Sequence, residues 1–219
     1  MSKVLKNLET IREKIDTNTV RIIAVTKYVD TNSIIQAYEA GLRNFAESKI
    51  QDSTRKRSEL PETIEKLSIW HFIGHLQKNK VKKVVGNFEY IHSLDSLELA
   101  QLISQEAALQ NIHQKVLIQV NISNEVTKHG FDAKNIKEVL PEILKLNSLN
   151  VVGLMTMAPY TEDAKELHQL FSQLRELRDE LQETNKTILP ELSMGMSNDF
   201  EIAANEGATM IRLGRILFE

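Results

Sequence analysis

Apolar residues along this chain fall into two alternating kinds of run. Short runs in which nearly every position is apolar, such as Val116-Leu117-Ile118-Gln119-Val120, alternate with longer stretches in which apolar positions recur every three or four residues. A strand apolar on both faces is buried on both faces, as in a parallel sheet covered by helices; a strand with one wet face would alternate. The candidate strands cover residues 22–26, 44–46, 69–73, 90–93, 116–121, 151–155, 191–194 and 210–213. After an opening helix carrying Val4, Leu5, Leu8, Ile11 and Ile15, candidate helices cover 32–40, 49–58, 77–84, 96–110, 133–146, 163–183 and 199–205. Asp95 with Glu98, and Asn198 with Glu201, have the spacing of helix-start capping pairs. The alternation predicts an α/β chain folded as a single (β/α)8 TIM barrel with an extra N-terminal helix; an open doubly wound sheet is the alternative.

No Pro- or Gly-rich linker divides the 219 residues, so one domain spanning 1–219 is expected. Acidic and basic residues are interspersed and the net charge is −3, which gives no footprint for nucleic acid or an anionic membrane. The basic cluster Lys78, Lys80, Lys82, Lys83 reads as a solvated helix face. The absence of cysteine excludes disulfides, zinc–thiolate sites and thiol nucleophiles. Residues 1–10 lack the apolar core of a signal peptide, and no stretch approaches the roughly 20 apolar residues of a membrane span. A cytosolic, monomeric protein is expected.

In a barrel of this kind the working face is built from the C-terminal ends of the strands. Those ends bring together Lys27, Glu47 with Ser48, Gly74 with His75, Asp95, Asn121, Met155 with Thr156, Ser197, and Arg212 with Gly214. Lys27 closes the run Arg21-Ile22-Ile23-Ala24-Val25-Thr26, and a lysine held there can form a Schiff base with an aldehyde. Ser197 and Asn198 precede a predicted helix start, and Arg212-Leu213-Gly214-Arg215 ends the eighth strand. Together they would seat a phosphate where barrels commonly bind one. Met155, Met157, Met194 and Met196 read as packing residues at strand ends.

His71 and His75 stand four apart, but in a strand and turn, without the glutamate of a zincin helix and without an evident third ligand, so no metal is expected. The chain has no Gly-x-Ser-x-Gly elbow, phosphate-binding loop or Gly-x-Gly-x-x-Gly motif. Serine hydrolase, nucleotide hydrolase and dinucleotide-dependent activities therefore have no support.

The segments Ala24-Val25-Thr26-Lys27, Trp70 through Lys80, Gln119 through Ser123 with Lys128 and Gly130, Gly153 through Ala158, Leu192 through Ser197 with Asp199, and Gly207 through Gly214 resemble, in order, the pyridoxal-phosphate homeostasis proteins. That family was earlier described as proline synthetase co-transcribed homologues. The resemblance implies a barrel like the N-terminal domain of alanine racemase, with pyridoxal 5′-phosphate (PLP) as cofactor. It implies a Schiff base on Lys27, phosphate contacts from Ser197 and from the backbone of Gly214 and Arg215, and Arg212 facing the pyridine nitrogen. Ser48, His75, Met155 and Asn198 complete the expected cofactor-binding set. Two positions depart from the family: Ala46-Glu47-Ser48 stands where Gly-Glu-Asn is common, and Arg215 where a threonine or another small residue is common.

An arginine at the pyridine nitrogen keeps that nitrogen unprotonated and makes the ring a poor electron sink. A racemase of this fold also needs a second acid/base, supplied in alanine racemases by a tyrosine from a second domain and partner chain. No such domain is expected beyond the eighth strand here, and Tyr28, Tyr38, Tyr90 and Tyr160 include none placed on the opposite face. The expectation is a carrier or regulator of PLP in vitamin B6 and amino-acid homeostasis, with recipient apo-PLP enzymes or a regulatory protein as partners. A PLP-dependent racemase-like enzyme and a PLP-independent Schiff-base lyase are the alternatives.

Overall fold

A computed structural model describes residues 2–123 and 129–219. Eight parallel strands, β1 (Arg21–Val25), β2 (Asn44–Glu47), β3 (Ile69–Phe72), β4 (Tyr90–Leu94), β5 (Gln114–Gln119), β6 (Leu149–Met155), β7 (Glu191–Ser193) and β8 (Met210–Leu213), close into a barrel in sequence order. Closure is direct, since β1 pairs with both β2 and β8, for example Ala24 with Phe45 and with Leu213. The predicted barrel is therefore the observed fold, and the open sheet is ruled out.

Helices between the strands form the outer layer: α1 (Lys3–Arg12), α2 (Thr31–Glu39), α3 (Ile50–Glu59), α4 (Glu62–Leu67), α5 (Val81–Val84), α6 (Leu97–Leu109), α7 (Ala133–Ile143), α8 (Ala164–Asn185), α9 (Phe200–Asn205) and α10 (Arg215–Phe218). Several expectations need correction. Residues 77–84 divide into a 3-10 turn at Lys78–Lys80 followed by α5. Pro61 opens a separate helix, α4, in a stretch with no predicted element. The cap of α6 is Ser96, whose side chain accepts from the Leu99 amide at 3.3 Å, not Asp95. Asp199, not Asn198, stands at the cap position of α9.

Strand alternation divides the core in two. Outward positions such as Ala24, Phe45, Trp70, Phe72, Ile91, Val116, Ile118, Leu192 and Ile211 pack under the helices in one continuous apolar layer. Inward positions Ile23, Ala46, Leu117, Val152, Met155 and Met210 form a second, smaller apolar cluster inside the barrel. They share that interior with His71, His92, Ser193 and Arg212, all buried. Buried polar groups need partners, and these satisfy one another. Among the described residues no helix is long and apolar enough to cross a membrane.

Candidate functional site

At the C-terminal end of the barrel a cavity of about 490 Å³ opens between the ends of β1, β6, β7 and β8. Its lining includes Lys27, Ser48, Met155, Ser197, Asn198, Arg212, Gly214 and Arg215, eight of the nine residues expected from sequence. His75 is not among them. It follows β3, is exposed, and lies 3.3 Å from an oxygen of Asp95, with its ring stacked on that of His129 at 4.2 Å. Glu47 also leaves the predicted rim, because strand alternation turns it outward toward α3. Lys128 lies outside the described residues.

Lys27 stands two residues beyond the end of β1, exposed at the cavity, with Nζ 4.8 Å from the centroid of the Tyr28 ring. The backbone just before it is firmly held. The Thr26 carbonyl accepts from Lys56 Nζ at 2.6 Å, its hydroxyl donates to Glu47 Oε1 at 2.7 Å, and its amide donates to the Ala46 carbonyl at 3.0 Å. Lys56 in turn pairs with Glu47 Oε1 at 2.9 Å, and both side chains are buried. A solvent-facing amine thus rides on a fixed backbone.

Arg212 is held from inside the barrel. Nη1 donates to Ser193 Oγ at 2.7 Å, Nη2 donates to the Thr156 carbonyl at 2.8 Å, and the Arg212 amide donates to the Gly195 carbonyl at 2.9 Å. Burial pushes its pKa down to about 10, which leaves it cationic at neutral pH. Gly195 adopts φ +88°, and a Cβ there would come within 2.6 Å of Ala203, so Ser-Met-Gly-Met-Ser requires its glycine to reach Arg212 in this way.

The polar network continues behind Ser193. His92 Nδ1 lies 2.9 Å from Ser193 Oγ, His92 Nε2 lies 2.9 Å from His71 Nδ1, and His71 Nε2 lies 3.0 Å from Asn44 Oδ1. Burial drives the His71 pKa down to about 3 and that of His92 well below its ordinary value, so both rings are neutral. An amide oxygen can only accept, which fixes every proton in the chain. His71 Nε2 donates to Asn44, His92 Nε2 donates to His71, the Ser193 hydroxyl donates to His92, and Arg212 donates to Ser193. Sequence reading missed this relay, although the inward parity of His71, His92, Ser193 and Arg212 on their strands was available as a signal.

Around Arg212 the lining turns anion-receptive. Ser197 Oγ accepts from the Ile216 amide at 3.4 Å, and Gly214 and Arg215 border the same space. A Cβ on Gly214 would meet no protein atom closer than 3.7 Å, so the room beside its backbone belongs to the cavity. Asp199 was not among the expected site residues, yet it lines the cavity and is buried. Burial raises its pKa, while its hydrogen bond from the Met196 amide and the charge of Arg212 oppose the rise. Tyr28, Tyr160 and Met157 line the cavity too, and all three are exposed.

Ser48 is positioned by close backbone packing. A Cβ on Gly74 would fall 2.1 Å from the Ser48 carbonyl, so only glycine lets the ends of β2 and β3 approach this closely. Gly74→Ala is expected to push Ser48 away from the cavity and to destabilise the chain by about 1–3 kcal/mol. Urea unfolding of the variant measures this, and an unchanged midpoint would contradict it.

Residues 1–219 match the family model described as the alanine racemase N-terminal domain. The sequence is 42% identical to the pyridoxal phosphate homeostasis protein of Aquifex aeolicus over 221 aligned residues, covering 100% of this chain and 95% of that one. The fold superposes on PipY of Synechococcus elongatus, solved with PLP bound, with a TM-score of 0.90 at 35% identity, covering 99% of this chain and all of that one. An alanine racemase of Clostridium difficile shares the fold at a TM-score of 0.78 and 16% identity; this chain spans 56% of its length.

Proposed function

The chain belongs to the pyridoxal phosphate homeostasis proteins, within the alanine racemase N-terminal-domain family, and we propose that it is a cytosolic, monomeric carrier or regulator of PLP that holds the cofactor reversibly as a Schiff base on Lys27. The observation that carries this reading is the convergence on one cavity of a free amine, a fixed interior cation and an anion-receptive turn. Its size suits a small cofactor.

The residues present fit PLP. Lys27 offers the nucleophile, and its exposure lets an aldehyde reach it without opening the fold. Ser197 and the backbone of Gly214 and Arg215 would hold the phosphate, with the Arg215 side chain adding a cation at the rim. Arg212 cannot be turned toward solvent without breaking its bonds to Ser193 and Thr156, so it would face the ring nitrogen as a donor. PLP supplies an electrophilic aldehyde and, where its ring nitrogen is protonated, an electron sink. A cationic Arg212 discourages that protonation, which favours holding the cofactor over carbanion chemistry. Recipient apo-PLP enzymes or a regulatory protein would meet the exposed mouth bearing Tyr28 and Tyr160.

Purified protein incubated with PLP and reduced with borohydride should carry the adduct on Lys27 by mass spectrometry, and Lys27→Ala should carry none. An adduct found solely on another lysine would overturn the assignment.

One observation favours a second reading. Tyr28 and Tyr160, both at the cavity, could serve as the second acid/base of a racemase-like enzyme. The carrier reading expects no catalysed exchange of amino-acid α-protons in deuterated water. Exchange abolished by Lys27→Ala would replace it with the enzymatic one.

A further inference from the structure

Apart from the cavity, the barrel mouth carries a second convergence of polar side chains. His75 follows β3, Asp95 directly follows β4, and His129 comes from the connection after β5, so three consecutive strand ends each contribute one group. Each offers one ligand atom, and these atoms all lie within 4.8 Å of one another. We propose that His75, Asp95 and His129 form a binding site for a borderline divalent transition metal such as Zn²⁺, independent of the PLP reading.

Two imidazoles and a carboxylate are the donor set such ions select, while harder ions prefer all-oxygen shells. Bonds of about 2.0–2.1 Å in a tetrahedral site separate neighbouring ligand atoms by about 3.3 Å. His75 Nδ1 already stands 3.3 Å from Asp95 Oδ2. No gap in the triad need close by more than about 1.5 Å to reach that spacing. The histidine side chains can supply the movement, because both residues are exposed and their stacked rings turn without disturbing the core.

The backbone beneath His129 is anchored. Gln119, the last residue of β5, donates its side-chain amide to the His129 carbonyl at 3.0 Å, and the Phe131 amide donates to the Gln119 carbonyl at 2.9 Å. Asp95 leaves β4 with its side chain largely buried, unlike the exposed histidines beside it. Lys78, the nearest basic residue in sequence to His75, is engaged by Glu98. Three protein ligands leave at least one position for water, so the site would be open. Occupied, it would tie the loops after β3, β4 and β5 into one rigid rim.

His71 and His75, the pair that spacing alone suggests, are divided between the barrel interior and its mouth. The ligands that do converge on His75 are 20 and 54 residues further along the sequence.

The test is equilibrium dialysis of the full, tag-free chain against Zn²⁺, with bound metal read by elemental analysis, and Co²⁺ substitution read by its ligand-field absorption. One equivalent per chain is expected. His75→Gln, Asp95→Asn and His129→Gln should each weaken binding at least tenfold. His168→Gln, which alters the exposed His168–Glu206 pair, should leave it unchanged. A wild-type chain that takes up no stoichiometric metal, or a His75→Gln/His129→Gln double variant that binds as tightly as wild type, overturns the proposal. Both histidines are exposed, so circular dichroism of the variants should match wild type.

Discussion

Replacing Lys56 with methionine is expected to cost about 3–5 kcal/mol of stability, the cost of leaving a buried charge without its partner. Glu47 is fully buried, and its carboxylate is satisfied on one side only: Oε1 accepts from Lys56 Nζ and the Thr26 hydroxyl, while Oε2 has no hydrogen-bond partner among the described residues. Without Lys56 the carboxylate keeps a single neutral donor, and the Thr26 carbonyl loses the bond at 2.6 Å. Urea unfolding of Lys56→Met measures the loss, and a change below about 1 kcal/mol would show that the pair is not the strut its burial implies. The double variant Lys56→Met/Glu47→Leu separates charge from position. Apolar replacement of both partners is often neutral or stabilising, so most of the stability should return. Thr26 would still lack its bonds to Lys56 and Glu47, keeping those to the Ala46 carbonyl, and the Lys27 that follows it should acquire borohydride-trapped PLP more slowly than wild type. Normal trapping in a stable double variant would mean that the strut serves the fold alone.

That link between a buried pair and an exposed amine shows where the sequence was readable and where it was not. The strands could be found because burial on both faces leaves near-continuous apolar runs, and Lys27, Arg212 and Gly214 could be placed because a parallel barrel puts chemistry at strand ends. Residues whose roles depend on parity or on distant partners could not be placed. Glu47 sits at a strand end like the others, yet the alternation within β2 turns it outward to α3. His75 has the right position in its strand-end turn, but the adjacent connections draw it to Asp95 and His129 instead of the cavity. Asp199 fell just inside a predicted helix and is both the cap residue of α9 and a buried wall of the cavity. The α4 helix starts directly after Pro61, which stands at its cap position, and so short a segment gives no apolar period to detect. The histidine relay joins residues 21 and 101 apart, which no local pattern brings together.

That relay should make the protein acid-sensitive well above the range where carboxylates titrate. His71 has an ordinary pKa of 6.5 when unfolded and about 3 when folded, so between those values the unfolded chain binds a proton that the native chain refuses. Stability is therefore full above pH 6.5 and falls as the pH drops below it, by about 1.4 kcal/mol per pH unit for each such group. His71 alone should remove about 2 kcal/mol by pH 5, and His92, depressed by burial and by the neighbouring charges, acts in the same direction. Asp199 opposes the trend, because a carboxyl whose pKa is raised by folding binds its proton more tightly in the native state, but it does so nearer its own lower titration range. Protonating His92 would set a second positive charge against Arg212 across Ser193 and remove the acceptor that the Ser193 hydroxyl uses. The folded relay therefore stays neutral over this interval, and the loss of stability comes from protons taken up by the unfolded chain. Urea midpoints between pH 7.5 and 5 test the thermodynamic claim. Wild type should lose stability steeply over that interval, while His71→Gln/His92→Gln should start lower at pH 7.5 and decline more gently. A flat wild-type profile, or an equally steep one in the double variant, would rule out the buried pair as the acid-sensitive element.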